Sequence, residues 1–255
     1  MQPNILALDF DGVICDGLIE YFASTKKAYQ QIWSEEASDS LAPSFYKLRP
    51  VIETGWEMPI LLRALVLGIK QEDILADWKG TALKLLNSAG LEKQNVVQKL
   101  DGVRDSWIKS DLDDWLALHR FYPGVVERLK QIISSDVELY IVTTKEGRFV
   151  KKLLEQQEIV LSAANIIGKE SKRPKYETLR IIRDRDKQSQ DLTIFFVEDR
   201  IEALKQVAQQ PDLDFVRLFL ADWGYNLEND RALATSDRRI ELLSLQQFTQ
   251  TCDRW

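Results

Sequence analysis

Asn4-Ile5-Leu6-Ala7-Leu8-Asp9-Phe10-Asp11-Gly12 is the stretch on which the fold of this chain turns. The run NILAL (4–8) is short and largely apolar, and it ends abruptly in two aspartates and a glycine. That pattern predicts a buried strand followed by a tight glycine-bearing loop.

Working outward, the same pattern returns after Tyr122-Pro123-Gly124. VVERLKQIISS (125–135) has helical spacing, with Pro123 near its first turn. VELYIV (137–142), LTIFFV (192–197) and DFVRLFLA (214–221) read as strands. GRFVKKLLEQQ (147–157), KYETLRIIRDR (175–185) and IEALKQVAQQ (201–210) read as the helices between and after them. Strands alternating with helices of about ten residues predict βαβ units and a parallel sheet. Near-continuous apolar runs such as TIFFV suit strands covered on both faces.

Residues 16–120 have another character. LIEYFASTKKAYQQIW (18–33), MPILLRALVLGI (58–69), QEDILADWKGTALKLLN (71–87) and SWIKSDLDDWLALHRF (106–121) repeat apolar residues at three and four. Amphipathic helices require that spacing, so this region reads as a mostly helical block. The expectation is an α/β protein: a doubly wound parallel-sheet core built from residues 1–15 and 121–255, interrupted by a helical domain at 16–120.

Composition removes several classes of function. With 45% hydrophobic and 29% charged residues, the 255-residue chain is neither fibrous nor largely disordered. A net charge of -6 argues against broad nucleic-acid binding, which usually needs a basic face. Two cysteines, Cys15 and Cys252, make no disulfide scaffold, and a reducing cytoplasm is the simpler expectation. The opening residues lack the features of a signal peptide, and no stretch approaches 18 consecutive apolar residues, so no membrane association is expected. One histidine, His119, and no CxxC pair leave little from which to build a zinc site. The natural workers are the 40 carboxylates.

In an open parallel sheet, ligands bind beyond the carboxyl ends of the strands. Asp9 and Asp11 follow the first strand, Thr143 and Thr144 follow YIV, and Glu198 and Asp199 follow TIFFV. Lys169, Lys172 and Lys175 stand ahead of a helix. Phosphoryl transfer wants such a set. A carboxylate can attack phosphorus and split one hard displacement into two easier ones. A second carboxyl can protonate the leaving alcohol and then activate water. Acids this close repel one another unless a cation lies between them, and Mg²⁺ prefers carboxylate, water and phosphate oxygens. A hydroxyl and a lysine can hold and neutralise the phosphate oxygens. Taken singly, the same residues have plainer uses. Asp9 and Asp11 suit an Asx turn, Thr143 and Thr144 a helix cap, and Glu198-Asp199 the dipole of the next helix.

Asp9-Phe10-Asp11-Gly12-Val13 resembles the DxDGV motif of the haloacid dehalogenase-like (HAD) hydrolase superfamily. Ile141-Val142-Thr143-Thr144-Lys145 resembles its second motif, a strand ending in Thr or Ser, and Phe196-Val197-Glu198-Asp199-Arg200 its acidic fourth motif. Tyr122-Pro123-Gly124-Val125 is similar to the segment that returns from cap to core, and Ala221-Asp222-Trp223-Gly224-Tyr225 to a turn after the fifth strand. The resemblance spans residues 5 to about 245 and puts the helical block in the place of a C1-type cap. It implies Asp9 as nucleophile and metal ligand, and Asp11 as general acid/base with its carbonyl also on the metal. It further implies Thr143 on the phosphate and Asp199 as a third metal ligand. An acid at position 11 favours phosphate chemistry over dehalogenation. Where the fourth motif often reads GDxxxD, this chain has Glu198 before Asp199 and Ala203 four residues on. Either Glu198 or Glu202 can supply the missing acid, Glu198 being preferred. The phosphate-binding lysine is either Lys175, directly ahead of a helix and preferred, or Lys172, where a K-P-x-P form would place it.

Gly12, Thr144, Lys172 and Arg49 complete the residues expected to contact substrate. Arg49 belongs to LRPVIETGWE (48–57), a loop of the insertion whose Glu53, Trp56 and Glu57 could also read the non-phosphate part, or simply connect helices. The expected function is Mg²⁺-dependent hydrolysis of a small phosphorylated metabolite, a phosphomonoester, through an aspartyl-phosphate. Three other readings stay open. A phosphonate hydrolase would need a cap lysine, with Lys26, Lys27 and Lys47 as candidates. A phosphomutase would keep the phospho-Asp long enough to pass it on. A non-catalytic binding or regulatory protein would retain only the fold.

Overall fold

A computed structural model describes residues 2–185 and 192–255. The chain divides into two units, one of Met1–Asp16 with Phe121–Trp255 and the other of Gly17–Arg120.

The first unit carries a six-stranded sheet of β1 (Ile5–Leu8), β4 (Glu138–Val142), β5 (Ile166–Ile167), β6 (Ile194–Glu198), β7 (Arg217–Ala221) and β8 (Ile240–Leu243). Its order is β5-β4-β1-β6-β7-β8, and every neighbouring pair is parallel. Two short strands, β2 (Cys15–Asp16) and β3 (Arg120–Phe121), pair separately. The connecting helices are α8 (Val125–Ile133), α9 (Gly147–Gln156), α10 (Lys175–Arg185), α11 (Ile201–Ala208), α12 (Glu228–Ser236) and α13 (Leu245–Phe248).

Why this sheet is parallel follows from its side chains. β1 and β6 are buried along their whole length, with no polar face to present to water. Ile5, Ala7, Ile194, Phe196, Leu218 and Leu220 pack in one cluster with Leu179 and Ile182 of α10 and Leu204 and Val207 of α11. Alternation sends their neighbours to the opposite face. There Phe195 and Phe219 lie 5.2 Å apart between ring centroids, and Trp255 covers both, stacked on Phe248 at 5.4 Å. The chain builds outward from β1 through β4 to β5, then returns to β1's other side for β6, β7 and β8. That reversal puts a crevice at the carboxyl end of β1, the usual ligand position in such a sheet.

The second unit is helical: α1 (Leu18–Trp33), α2 (Ala42–Leu48), α3 (Glu57–Val66), α4 (Gln71–Ala76), α5 (Trp78–Ser88), α6 (Lys93–Ser110) and α7 (Leu112–Leu116). Here the structure departs from the periodicity. QEDILADWKGTALKLLN breaks at Asp77 into α4 and α5, and SWIKSDLDDWLALHRF breaks at Asp111 between α6 and α7. Both aspartates leave the helical conformation and cap the next helix, Asp77 Oδ1 accepting from Gly80 N at 2.9 Å and Asp111 Oδ1 from Asp114 N at 2.9 Å. An acidic side chain competes with the backbone for its own N–H groups, so one residue suffices to end one helix and start another. A Cβ at position 80 would stand 2.1 Å from Asp77 Oδ2, so a larger residue there would require the capping carboxylate to shift. Asp77→Ala is therefore expected to cost about 0.5–2 kcal/mol in urea unfolding; an unchanged midpoint would show that the cap carries no weight. No helix among the described residues is long and apolar enough to cross a membrane.

Candidate active site

Register brings the acids together. Leu8 pairs with Val197 across β1 and β6, so the next residues along the two strands are Asp9 and Glu198. Asp9 N donates to Val197 O at 2.9 Å, which extends the ladder to the end of the strand. Asp9 is 6% exposed, Glu198 0% and Asp199 1%. One carboxylate oxygen from each lies within 4.8 Å of the others.

The loop after Asp9 is wound tightly. Phe10 O accepts from the amides of Ile14 and Cys15, both at 2.9 Å, and Gly12 N donates to Cys15 O at 2.8 Å. Gly12 has φ +88°, and a Cβ on it would stand 2.1 Å from Asp199 Oδ2. Glycine is needed there for both its backbone conformation and its lack of bulk. Asp199 is aimed from the other side, where Tyr225 N donates to its Oδ2 at 2.8 Å and Asn226 Nδ2 to its main-chain oxygen at 3.1 Å.

Lys175, the first residue of α10, reaches into this group. Its ammonium lies 2.8 Å from Asp9 Oδ1 and also binds Glu198 Oε2. Burial works against that charge, but Asp9 and Glu198 outweigh it and hold its pKa above the usual lysine value. Burial pushes the Asp9 carboxyl up to about 7, against the pull of Lys175. Glu198 is also raised to about 7, by burial first and by Asp199 beside it, again against Lys175. Burial raises Asp199 as well.

These residues suit a hard divalent cation. Asp9 Oδ1, although near Lys175, accepts no aligned hydrogen bond and is buried. A buried carboxylate oxygen left in that condition is costly unless something positive meets it. With every group ionised, three carboxylates and one ammonium leave two net negative charges, which one divalent cation would cancel.

A second ion pair lies beside the first. Lys145 Nζ is 3.2 Å from Asp11 Oδ1 and 3.3 Å from Oδ2. Thr143, at the end of β4, is buried; its amide donates to Ile167 O at 3.0 Å, and its Oγ1 accepts from Lys145 N at 3.2 Å. Since Oγ1 serves there as an acceptor, its hydroxyl hydrogen stays available to an anion.

Of the residues singled out in the sequence, Asp9, Asp11, Gly12, Thr143, Lys175, Glu198 and Asp199 all fall at the carboxyl ends of β1, β4 and β6 or the start of α10. Thr144 is next to them but exposed. Lys172 is exposed at the left-handed end of the turn 169–171, with no ion pair among the described residues. Glu202 points outward from α11 to Lys205 at 3.1 Å, whereas Glu198 is in the acidic group. Arg49 lies in the helical unit, where it donates to Ile52 O at 3.1 Å and covers the Tyr21 ring at 5.0 Å. Glu57, in the same loop, accepts from the amides of Glu53 and Thr54, so its carboxylate closes its own turn. Sequence reasoning gave no role to Lys145 or Tyr225. Lys145 could have been found as the first cation after the Thr-Thr strand end; the Tyr225 amide has no signature in a side chain.

Against solved structures, the fold has many counterparts. A hydrolase of the haloacid dehalogenase-like family from Streptococcus pneumoniae superposes with a TM-score of 0.57 over 94% of this chain and 93% of its own, at 14% identity. The fold is haloacid dehalogenase-like. A predicted phosphoglycolate phosphatase from Haemophilus somnus is similar over 89% of each chain (TM-score 0.59, 16% identity). A predicted phosphatase from Clostridium acetobutylicum is similar over 98% of this chain and 97% of its own (TM-score 0.60, 14% identity). Neither a family model nor a curated protein matches the sequence itself. At these identities the HAD-like likeness is one of fold, and chemistry must be argued from the site.

Proposed function

We propose that the protein is a Mg²⁺-dependent phosphohydrolase of small phosphomonoesters, working through an aspartyl-phosphate on Asp9. The observation that carries this reading is Asp9 itself: a buried carboxylate at a strand end, one oxygen without an aligned donor, grouped with Glu198, Asp199 and Lys175. The phosphatase names of its structural neighbours support it.

Asp9, Glu198 and Asp199 would hold the metal ion, which supplies charge neutralisation between the carboxylates and the phosphate oxygens. An Asp9 oxygen attacks phosphorus as the bond to the ester oxygen breaks, and Asp11 gives that oxygen its proton. Lys175 and the Thr143 hydroxyl meet the negative charge that spreads over the non-bridging oxygens. Asp11, now a carboxylate, then takes a proton from water. The water oxygen attacks the phosphorus of the acyl phosphate, returning Asp9 as a carboxylate and releasing inorganic phosphate.

The direct test is phosphate release from a panel of phosphomonoesters with and without Mg²⁺. Metal-dependent turnover of at least one ester is the expected result. A folded, magnesium-saturated protein inert toward every ester would overturn the reading.

A thermal measurement tests the metal site without turnover. The carboxyls must lose their protons to bind a cation, and those of Asp9 and Glu198 do so only near pH 7. Magnesium is therefore expected to raise Tm more at pH 8 than at pH 5.5. An equal rise at both values would place the ion elsewhere.

A further inference from the structure

Asp11 lies outside the Asp9–Lys175–Glu198 group and has a cation of its own. Lys145 Nζ is almost equidistant from its two oxygens, at 3.2 and 3.3 Å, so a single ammonium pairs with both and restrains the position of the carboxyl group. The pair is sheltered, with Lys145 9% and Asp11 19% exposed at the side chain, and is screened less than a pair on the surface.

The backbone beneath Lys145 is held on both sides. Its amide donates to Thr143 Oγ1 at 3.2 Å, and its carbonyl accepts from Lys169 N at 2.9 Å. A Cβ on Gly168 would stand 2.7 Å from that carbonyl, so the 168–170 turn presses directly on it. Glu170 Oε2 accepts from Gly147 N at 3.2 Å, two residues further on. The segment is thus fixed at its backbone, and the sheltered contact with both Asp11 oxygens locates the ammonium at the end of the flexible stem.

We infer that Lys145 is a positioning residue that aims the Asp11 carboxyl for proton transfer, without itself touching the transferred phosphoryl group. The inference rests on the phosphohydrolase reading of Asp9 and Asp11. Orientation of a proton-transfer group matters because small displacements of it are expensive in rate.

A double-mutant cycle tests it. The substrate is an aryl phosphate, whose leaving group needs little protonation and keeps Asp11→Asn measurable. Binding of inorganic phosphate is followed in parallel. Lys145→Met is expected to lower kcat by about 10- to 100-fold, with KM and the Kd of phosphate changed by no more than about twofold. In an Asp11→Asn background the same substitution is expected to lower kcat no further, because nothing is left to aim. Lys145→Arg should recover most of the rate. Equal losses in both backgrounds, or a clear weakening of phosphate binding, would make Lys145 a phosphate ligand and overturn the positioning role. A wild-type protein that releases phosphate from no ester would instead remove the phosphohydrolase reading, and this inference with it.

Discussion

Asp9→Asn is expected to lower phosphate release by a factor of about a thousand or more, while the protein stays folded. Asparagine has nearly the shape of aspartate, but its amide is a poor nucleophile toward phosphorus, and loss of the attacking atom removes the whole two-step route. Stability should not suffer. Asp9 is buried, its carboxyl is raised to about 7, and its Oδ1 accepts no aligned hydrogen bond. Lys175 keeps Glu198 as a partner when Asp9 becomes neutral. The metal-free variant should therefore unfold at the same urea concentration as wild type or a higher one, and should bind Mg²⁺ more weakly. Turnover close to the wild-type rate would exclude Asp9 as the nucleophile.

Lys175→Met tests the other half of the same group, and here stability is expected to fall. Methionine fills much of the lysine stem but leaves Asp9, Glu198 and Asp199 together in a buried space with no cation. Breaking a buried pair by removing one partner typically costs about 3–5 kcal/mol. The pH dependence has a definite sign. The carboxyls of Asp9 and Glu198 have folded-state pKa values raised above their unfolded ones, so they favour the folded state below about pH 4. That contribution is lost as pH rises through about 7. Removing the ammonium, which pulls both values down, enlarges the effect. The deficit should be small at pH 5 and largest at pH 8 without metal, and Mg²⁺ should restore part of it by binding only the folded form. Urea unfolding at the two pH values, with and without Mg²⁺, measures this. A variant as stable as wild type at pH 8 without metal would mean that the three acids do not share a desolvated space.

The core strands were legible because a strand covered on both faces must be apolar throughout, and TIFFV and YIV show that without help from neighbours. Edge strands carry no such mark. β5 has only Ile166 and Ile167, and β8 buries Ile240 and Leu243 while Glu241 pairs with Arg217 at its surface. The helix breaks at Asp77 and Asp111 were hidden because apolar spacing runs on across a single capping residue. At the site, residues that follow strands were visible as a set. Spacing left two choices open, Lys172 or Lys175 and Glu198 or Glu202, because each depends on where a helix begins and which way the strand end faces. The grip on Asp199 comes from the main-chain amide of Tyr225, a group every residue but proline possesses.

The interrupted order of the first unit also sets a timetable for synthesis. Ile5 pairs with Glu138 and Ile194, partners 133 and 189 positions later in the chain. At about ten residues per second of translation, β1 is without its neighbours for something on the order of 13 to 19 seconds. During that time the helices of Gly17–Arg120, whose contacts are mostly internal, are already available to pack. A bare apolar strand ending in two aspartates is exposed to chaperones and to wrong pairings throughout. The environment that burial gives Asp9 forms only when β6 arrives, so the nascent chain carries ordinary, water-facing carboxylates until the sheet closes around them.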